Sequence, residues 1–243
     1  MKIGISINGI LRDYFGKIET THEKYFPPEN EEDEGIKVKD YDLEKWVTFP
    51  KEETNQNEIE FNLDFDDSVE EVTEEEEKED IKLEKVEQQV TLEEFMYERC
   101  TLEIFGYADE TVPNAMGYLN DLILSRKETN PEDEFLIISR EVGLSIPSTL
   151  FFLSKTKSQC QNIKFIKANS DHWKWVKVMV TDHPDIIKSK PKDAVVIKVL
   201  KPFNADIESD FEIENIKELD GKMLDSVMSK LIKIQKSKAV RFT

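Results

Sequence analysis

Positive charge is what this chain is short of. Lys and Arg total 33 against 52 Asp and Glu, which leaves a formal net charge of −19. A surface of that sign is repelled by phosphate backbones and by anionic lipid. Direct nucleic-acid binding and membrane-surface binding are therefore not expected, and a basic partner surface is. Cysteine is scarce as well. Cys100 and Cys160 stand far apart without metal-ligand spacing, which predicts two buried free thiols in a reducing compartment. Of the three histidines, His22 and His172 have no partner at ligand spacing, and His183 in its Pro-containing turn reads as a surface residue. Long apolar runs are missing too. None approaches the ~18 residues needed to span a bilayer, and the apolar start at residues 3–11 is broken by Ser6, Asn8 and Gly9. The expectation is a protein made in the cytoplasm with no secretory leader.

What is present suits one α/β domain carrying an insertion, for which 243 residues suffice. Residues 2–7 read as a buried strand ending in a tight turn at Gly9. Asp13 then caps a helix with Tyr14, Phe15, Ile18, His22 and Tyr25 on one side. Regular order resumes at Thr91, which with Glu94 forms a capping box for a helix through Cys100. Pro113 opens a helix that buries Ala115, Met116, Leu119, Leu122 and Ile123. Pro147 opens another, with Leu150 and Phe151 inward. Four more apolar strands read at 135–139, 163–167, 176–181 and 194–200. Short helical segments lie near 170–175, where Trp173 and Trp175 serve packing, and near 184–189. An amphipathic helix at 221–236 closes the chain. Near-continuous apolar strands alternating with helices predict a five-stranded parallel sheet covered on both faces.

Residues 27–90 have another character. Between positions 66 and 84 there are eleven acidic side chains and two lysines. Two pieces of this segment are apolar enough to dock. One carries Tyr41, Trp46 and Phe49. The other alternates strictly, with Ile59, Phe61, Leu63 and Phe65 on one face, as a half-buried strand does. These seven residues are the candidate partner-binding set, because such a face must land on something.

In open α/β sheets ligands bind at the carboxyl ends of the strands. Three such ends stand out: "SINGILRD" from Ser6, "SRE" from Ser139, and "TDHPD" from Thr181. Here the chain resembles the haloacid dehalogenase-like (HAD) superfamily, in particular its 5′-nucleotidase-type members. Ser6-Ile7-Asn8-Gly9-Ile10-Leu11 falls where the family has Asp-x-Asp-Gly-(Val/Thr)-Leu. Ser139 matches the second motif, Thr181-Asp182 the acidic pair of the fourth, and Lys167 is the nearest candidate for the third-motif lysine. The resemblance implies a three-layer Rossmannoid core over residues 1–26 and 91–204. The acidic insertion then takes the cap position, and residues 205–243 form a C-terminal helical extension. It also implies what is missing. The family's first aspartate attacks phosphorus and its second shuttles a proton. Ser6 and Asn8 replace them, and an amide cannot cycle a proton. No base stands beside Ser6 to activate it. Mg²⁺ commonly takes one or two carboxylates in such sites. Ser6 and Thr181 supply none, so Asp182 remains, with Asp185 one turn on.

The expectation is a protein that is not an enzyme, with no catalytic residues, no metal and no cofactor. Its degenerate positions are Ser6, Asn8, Ser139, Thr181 and Asp182. "LEIFGYADE" and "ISREVGLSIPSTLFFLSK" resemble HAD-like proteins of crAss-like bacteriophages. That implies a virion component, such as a head–tail connector or tail ring subunit, whose partners are other virion proteins and copies of itself. The alternatives are a Mg²⁺-dependent nucleotidase with relocated groups, and a pseudoenzyme that binds a nucleotide or phosphate.

Overall fold

The computed structural model describes residues 1–28, 35–49 and 90–239. The chain divides into two units, Met1–Thr48 with Thr91–Thr243, and Phe49–Val90. In the second unit, Phe49 and Val90 are the described residues. Ile59, Phe61, Leu63 and Phe65 lie outside them, as does the acidic run.

The first unit is a parallel sheet with helices on both faces. Its strands are β1 (Lys2–Ser6), β2 (Glu134–Ser139), β3 (Asn162–Phe165), β4 (Val178–Thr181), β5 (Val195–Val199) and β6 (Phe211–Ile213). They lie in the order β3-β2-β1-β4-β5-β6, and every pair is parallel. The five strands expected from the sequence are present. The count of five is corrected to six, because β6 lies within the stretch read as a helical extension. With only three residues, and half-buried Phe211 followed by exposed Glu212, β6 is too short and too polar to stand out. What makes it a strand is pairing with the exposed edge of β5, which fixes Ile197 opposite Phe211.

Alternation along each strand divides the core in two. Ile3 and Ile5 of β1, Phe135 and Ile137 of β2, Val178 and Val180 of β4, and Val195 and Ile197 of β5 face one layer. The helices α3 (Ala115–Thr129) and α7 (Gly221–Ala239) contribute Leu119, Ile123, Leu224 and Val227 to that layer. Leu136, Ile138, Met179 and Val196 face the other layer, with α5 (His172–Trp175) and α6 (Pro184–Lys188) supplying Trp173, Ile186 and Ile187. Gly4 in mid β1 belongs to this second side. A Cβ there would lie 2.7 Å from Met179 Sδ and 3.0 Å from both Ile138 Cδ1 and Val176 Cγ2, so the side chains packed on this face already fill the space over Gly4.

The remaining helices are α1 (Tyr14–Tyr25), α2 (Leu92–Glu94) and α4 (Ser145–Lys155). Asp13 caps α1 as expected, Oδ1 accepting the Gly16 N–H at 3.2 Å. Thr91 Oγ1 accepts the Glu94 N–H at 3.1 Å, but the predicted helix through Cys100 is a single turn that widens into a π-helical turn, Phe95–Arg99. A second π turn follows at Leu102–Gly106. Pro147 sits in the first turn of α4, and the predicted face of that helix is corrected. Ser145, Ser148, Thr149, Phe152 and Leu153 are buried, whereas Leu150 and Phe151 are exposed. The buried positions keep helical spacing, and Thr149 fixes their phase by reaching a buried arginine described below. Trp173 packs as expected. Trp175 does not: it is 45% exposed, with Lys164 Nζ 4.7 Å from its ring centroid. Cys100 and Cys160 are free and buried, and burial pushes the Cys100 thiol up to about 11.

Candidate functional site

Strand order reverses between β1 and β4: the chain first builds outward through β2 and β3, then returns to the far side of β1. Open α/β sheets bind ligands in the crevice at such a point. The register brings Ser6 of β1 level with Ile138 of β2, so Ser6, Ser139 and Thr181 end their strands at one rim. Over that rim lies a cleft of about 380 Å³. Ser6, Asn8 and Ser139 line it, together with aromatic residues that include Tyr14, Tyr41, Tyr97 and Phe105.

The groups at the rim are bonded to one another, Ser139 Oγ excepted. Ser6 Oγ donates to Thr181 Oγ1 at 2.9 Å, and the same Oγ1 accepts the His183 N–H at 3.2 Å. The hydroxyl proton of Ser6 is therefore directed at a neutral oxygen and not at a base. Gly9 turns the chain with φ +72°, and a Cβ on it would lie 2.0 Å from Asp182 Oδ2. Only glycine fits, both for the left-handed backbone and for the contact.

Asn8 is held by a buried cation. Arg12 is 0% exposed. Its Nε and Nη2 donate to Asn8 Oδ1 at 2.9 and 2.5 Å, and Nη1 donates to Phe105 O at 2.7 Å and Thr149 Oγ1 at 2.9 Å. Nη2 also pairs with Glu141, whose Oε1 accepts the Asn8 amide N–H at 3.1 Å. The guanidinium lies 5.2 and 5.6 Å from the Phe105 and Phe152 ring centroids. A charge so deep is tolerable only when its donors are met by charged and polar acceptors, and here each guanidinium nitrogen has one.

Asp182 is also fully buried. Desolvation pushes its carboxyl up to about 7, against the opposing hydrogen bond from Tyr41, whose OH donates to Oδ1 at 2.6 Å. Tyr41 stacks on His183 with centroids 4.1 Å apart and meets Phe15 and Phe203 edge-on. Asn204 Nδ2 donates to the Asp182 carbonyl at 2.8 Å. His183 is not the surface residue expected. It is half-buried, its Nδ1 accepts the Asp185 N–H at the start of α6, and desolvation lowers it to about 4. His172, 3% exposed, is lowered to about 4 by the same cause and donates through Nδ1 to Asn169 O at 2.6 Å. His22 is buried, with Nε2 2.7 Å from Thr48 O.

This donor set does not fit Mg²⁺. Glu141 gives one oxygen to the Arg12 cation, whose charge opposes a metal ion, Asp182 is desolvated and gives one oxygen to Tyr41, and the Ser6 and Thr181 hydroxyls bond to each other, so each carboxylate keeps one buried unmet oxygen. Among the described residues, no group of three or more His, Cys, Asp and Glu could hold a metal ion.

The five degenerate positions thus come together around one rim, while Lys167 lines the cleft as an exposed residue. Of the candidate partner-binding residues, Tyr41 packs against this rim. Trp46 donates through Nε1 to Asp40 at 2.9 Å, with Lys39 Nζ 5.0 Å from its ring centroid, and Phe49 opens the second unit. Sequence reasoning missed Arg12, Glu141 and Asn204. Arg12 left a trace, since it stands four residues after Asn8. Glu141 ends the "SRE" stretch, but nothing local says that it is buried.

The fold and the rim define a Rossmann-like α/β protein with an open cleft at its topological switch point. No protein-family model matches the chain, and no curated protein matches it. Among the described residues, no helix is long and apolar enough to cross a membrane.

Proposed function

We propose that this is a non-catalytic structural protein built on a degenerate HAD-like phosphatase fold, and a component of a bacteriophage particle that docks neighbouring chains. The observation that carries the non-catalytic reading is the state of Asn8. At the position where the resemblance requires a proton-cycling acid, an amide is clamped between Arg12 and Glu141. Ser6, at the nucleophile position, spends its proton on Thr181. A missing general acid/base typically costs about 10²–10⁴ in rate.

Support for the docking role comes from charge and from exposed apolar surface. The net charge of −19 suits basic partner surfaces. Leu102 (47% exposed), Tyr107 (50%), Leu150 (44%) and Phe151 (41%) lie on α4 and the π turn packed beside it. The Tyr107 and Phe151 rings are 5.2 Å apart. A grouped apolar surface of this kind marks protein-binding sites. The assignment to a virion, and to a connector or tail ring within it, rests on the resemblance to crAss-like phage proteins.

Two experiments test the reading. Purified protein incubated with Mg²⁺ and either a chromogenic aryl phosphate or nucleoside monophosphates is expected to give no turnover above background. Metal-dependent turnover abolished by Asp182→Asn would overturn it in favour of a nucleotidase with relocated groups. Quantitative mass spectrometry of particles of a phage encoding this chain is expected to find a fixed copy number. Absence of the chain from particles would refute the virion role.

A further inference from the structure

The sheet has two open edges, and they carry opposite charge. β3 and β6 are its outermost strands, each with one neighbouring strand. The Ile166 N–H bonds Ser139 O at 2.9 Å, so the alternation of a parallel ladder turns the N–H and C=O of Ile163 and Phe165 away from β2. On the far side, Ile213 O accepts the Leu200 N–H at 2.8 Å, which turns the N–H and C=O of Glu212 away from β5. Among the described residues, neither row of outward groups meets another strand. An edge of this kind is a template for pairing with a further chain.

Charge says what each edge accepts. Residues 142–170, which run through α4 and β3, hold four lysines and no Asp or Glu. Lys155, Lys157 and Lys167 are exposed, and Lys164 is half-buried with its Nζ over the Trp175 ring. None of the four makes an ion pair among the described residues. Residues 205–220, around β6, hold seven Asp and Glu against Lys217 alone. Asp210 is paired with Lys190 and Lys230, and Glu212 with Lys198. Asp206, Glu208, Glu214, Glu218 and Asp220 are exposed and make no ion pair among the described residues. Lysines on an edge repel a like edge and favour an acidic one. The complement of each edge is therefore the other edge of the same chain, and a second copy supplies it. The net charge of −19 opposes self-association at long range. At about 0.15 M salt the Debye length is about 8 Å, so charges in contact across a shared edge are screened least.

We propose that copies of this chain associate head to tail, the acidic β6 edge of one docking on the basic β3 edge of the next and extending the parallel sheet from copy to copy. The contact joins two different surfaces, so it is heterologous. It closes into a ring if the rotation between copies returns to its start, and otherwise it grows as a filament. The inference rests on the docking reading above for the premise that copies of the chain meet. It puts the contact on the sheet edges and does not use the virion assignment.

The test is a charge swap, read by sedimentation velocity on the full chain at about 0.15 M salt and up to about 100 µM protein. The parent chain is expected to form species larger than the monomer, growing with concentration. Lys164→Glu with Lys167→Glu makes both edges acidic, and Glu208→Lys with Glu214→Lys makes both basic. Each double variant alone is expected to associate at least about tenfold more weakly than the parent, because like edges then face each other. Mixed in equal amounts, the two are expected to recover association, since each offers the edge that the other lacks. Recovery also shows that neither variant lost association by misfolding. A parent chain that stays monomeric throughout would overturn the inference, while docking to other proteins would stand. Assembly of the parent that neither swap weakens, or a mixture that does not recover, would also overturn it, and would move the contact between copies to another surface.

Discussion

Two buried arginines anchor opposite ends of the sheet, and they are satisfied differently. Arg126 lies where β2 begins. Its Nε and Nη2 donate to Asp133 Oδ2 at 2.9 and 2.6 Å, and its Nη1 reaches Asp225 at 2.7 Å. Asp133 has its other oxygen on the Met1 nitrogen at 3.0 Å, so both of its oxygens are bonded. Arg12 lies at the opposite, carboxyl end. Its own nitrogens are all bonded, yet its carboxylate partner keeps one oxygen unmet. A network at the base that closes on itself holds the fold together. The one at the rim leaves a single buried carboxylate oxygen unmet, a desolvation cost that the fold carries. The same residue type therefore closes its network in one place and leaves it one bond short in the other.

The largest effect expected comes from breaking the rim network. Arg12→Met leaves Glu141 charged and buried without its partner, and should cost about 3–5 kcal/mol in chemical denaturation. Adding Glu141→Leu should recover much of that loss, because a buried pair replaced together costs far less than a pair broken. If the double variant is no more stable than the single, the network does not behave as a buried charge pair. At the base, Arg126→Met should cost less, about 2–3 kcal/mol, because the Met1 nitrogen still holds Asp133. Equal losses at the two ends would erase the contrast.

Acid titration sharpens the comparison at the rim. His172 and His183 have folded pKa values of about 4, below the ordinary 6.5. The unfolded chain therefore binds their protons first, and stability falls as pH drops from 6.5 towards 4. Asp182, raised to about 7 from 3.8, acts in the opposite sense: its contribution is present at low pH and is lost as pH rises towards 7. Between pH 4 and 6.5, two histidines oppose one aspartate. His22, also lowered by burial, adds to the histidine side, so the net slope should be about 1.4 kcal/mol per pH unit or somewhat more, with stability lost on acidification. Asp182→Asn removes the opposing group and should roughly double that slope in urea melts across the window. An unchanged slope would mean that Asp182 is already ionised in the folded state.

The smallest effect belongs to the exposed arm of the base network. Asp225 has a side chain 66% exposed, so Asp225→Ala should shift stability by less than about 1 kcal/mol, and less still in high salt. A larger loss would show that Arg126 depends on both carboxylates.

The sequence by itself determined five of the strands, their parallel packing and the ends at which the candidate groups sit. Unbroken runs such as Phe135 to Ile138 bury on both faces, and period and hydrophobicity report that locally. It also determined the Asp13 cap and the turn at Gly9, which depend on neighbours a few residues away. Only the tertiary structure decided that β6 pairs with β5 and that Leu150 and Phe151 face outward. It alone decided that Arg12, Asn8 and Glu141 form one buried cluster, and that Tyr41 closes on Asp182. Each of these joins residues distant in the chain: Glu141 lies 129 positions from Arg12, and Asp182 lies 141 from Tyr41. Desolvation and hydrogen-bond pairing across such distances act only once the sheet has brought the strand ends to one rim, so no local pattern carries their signature.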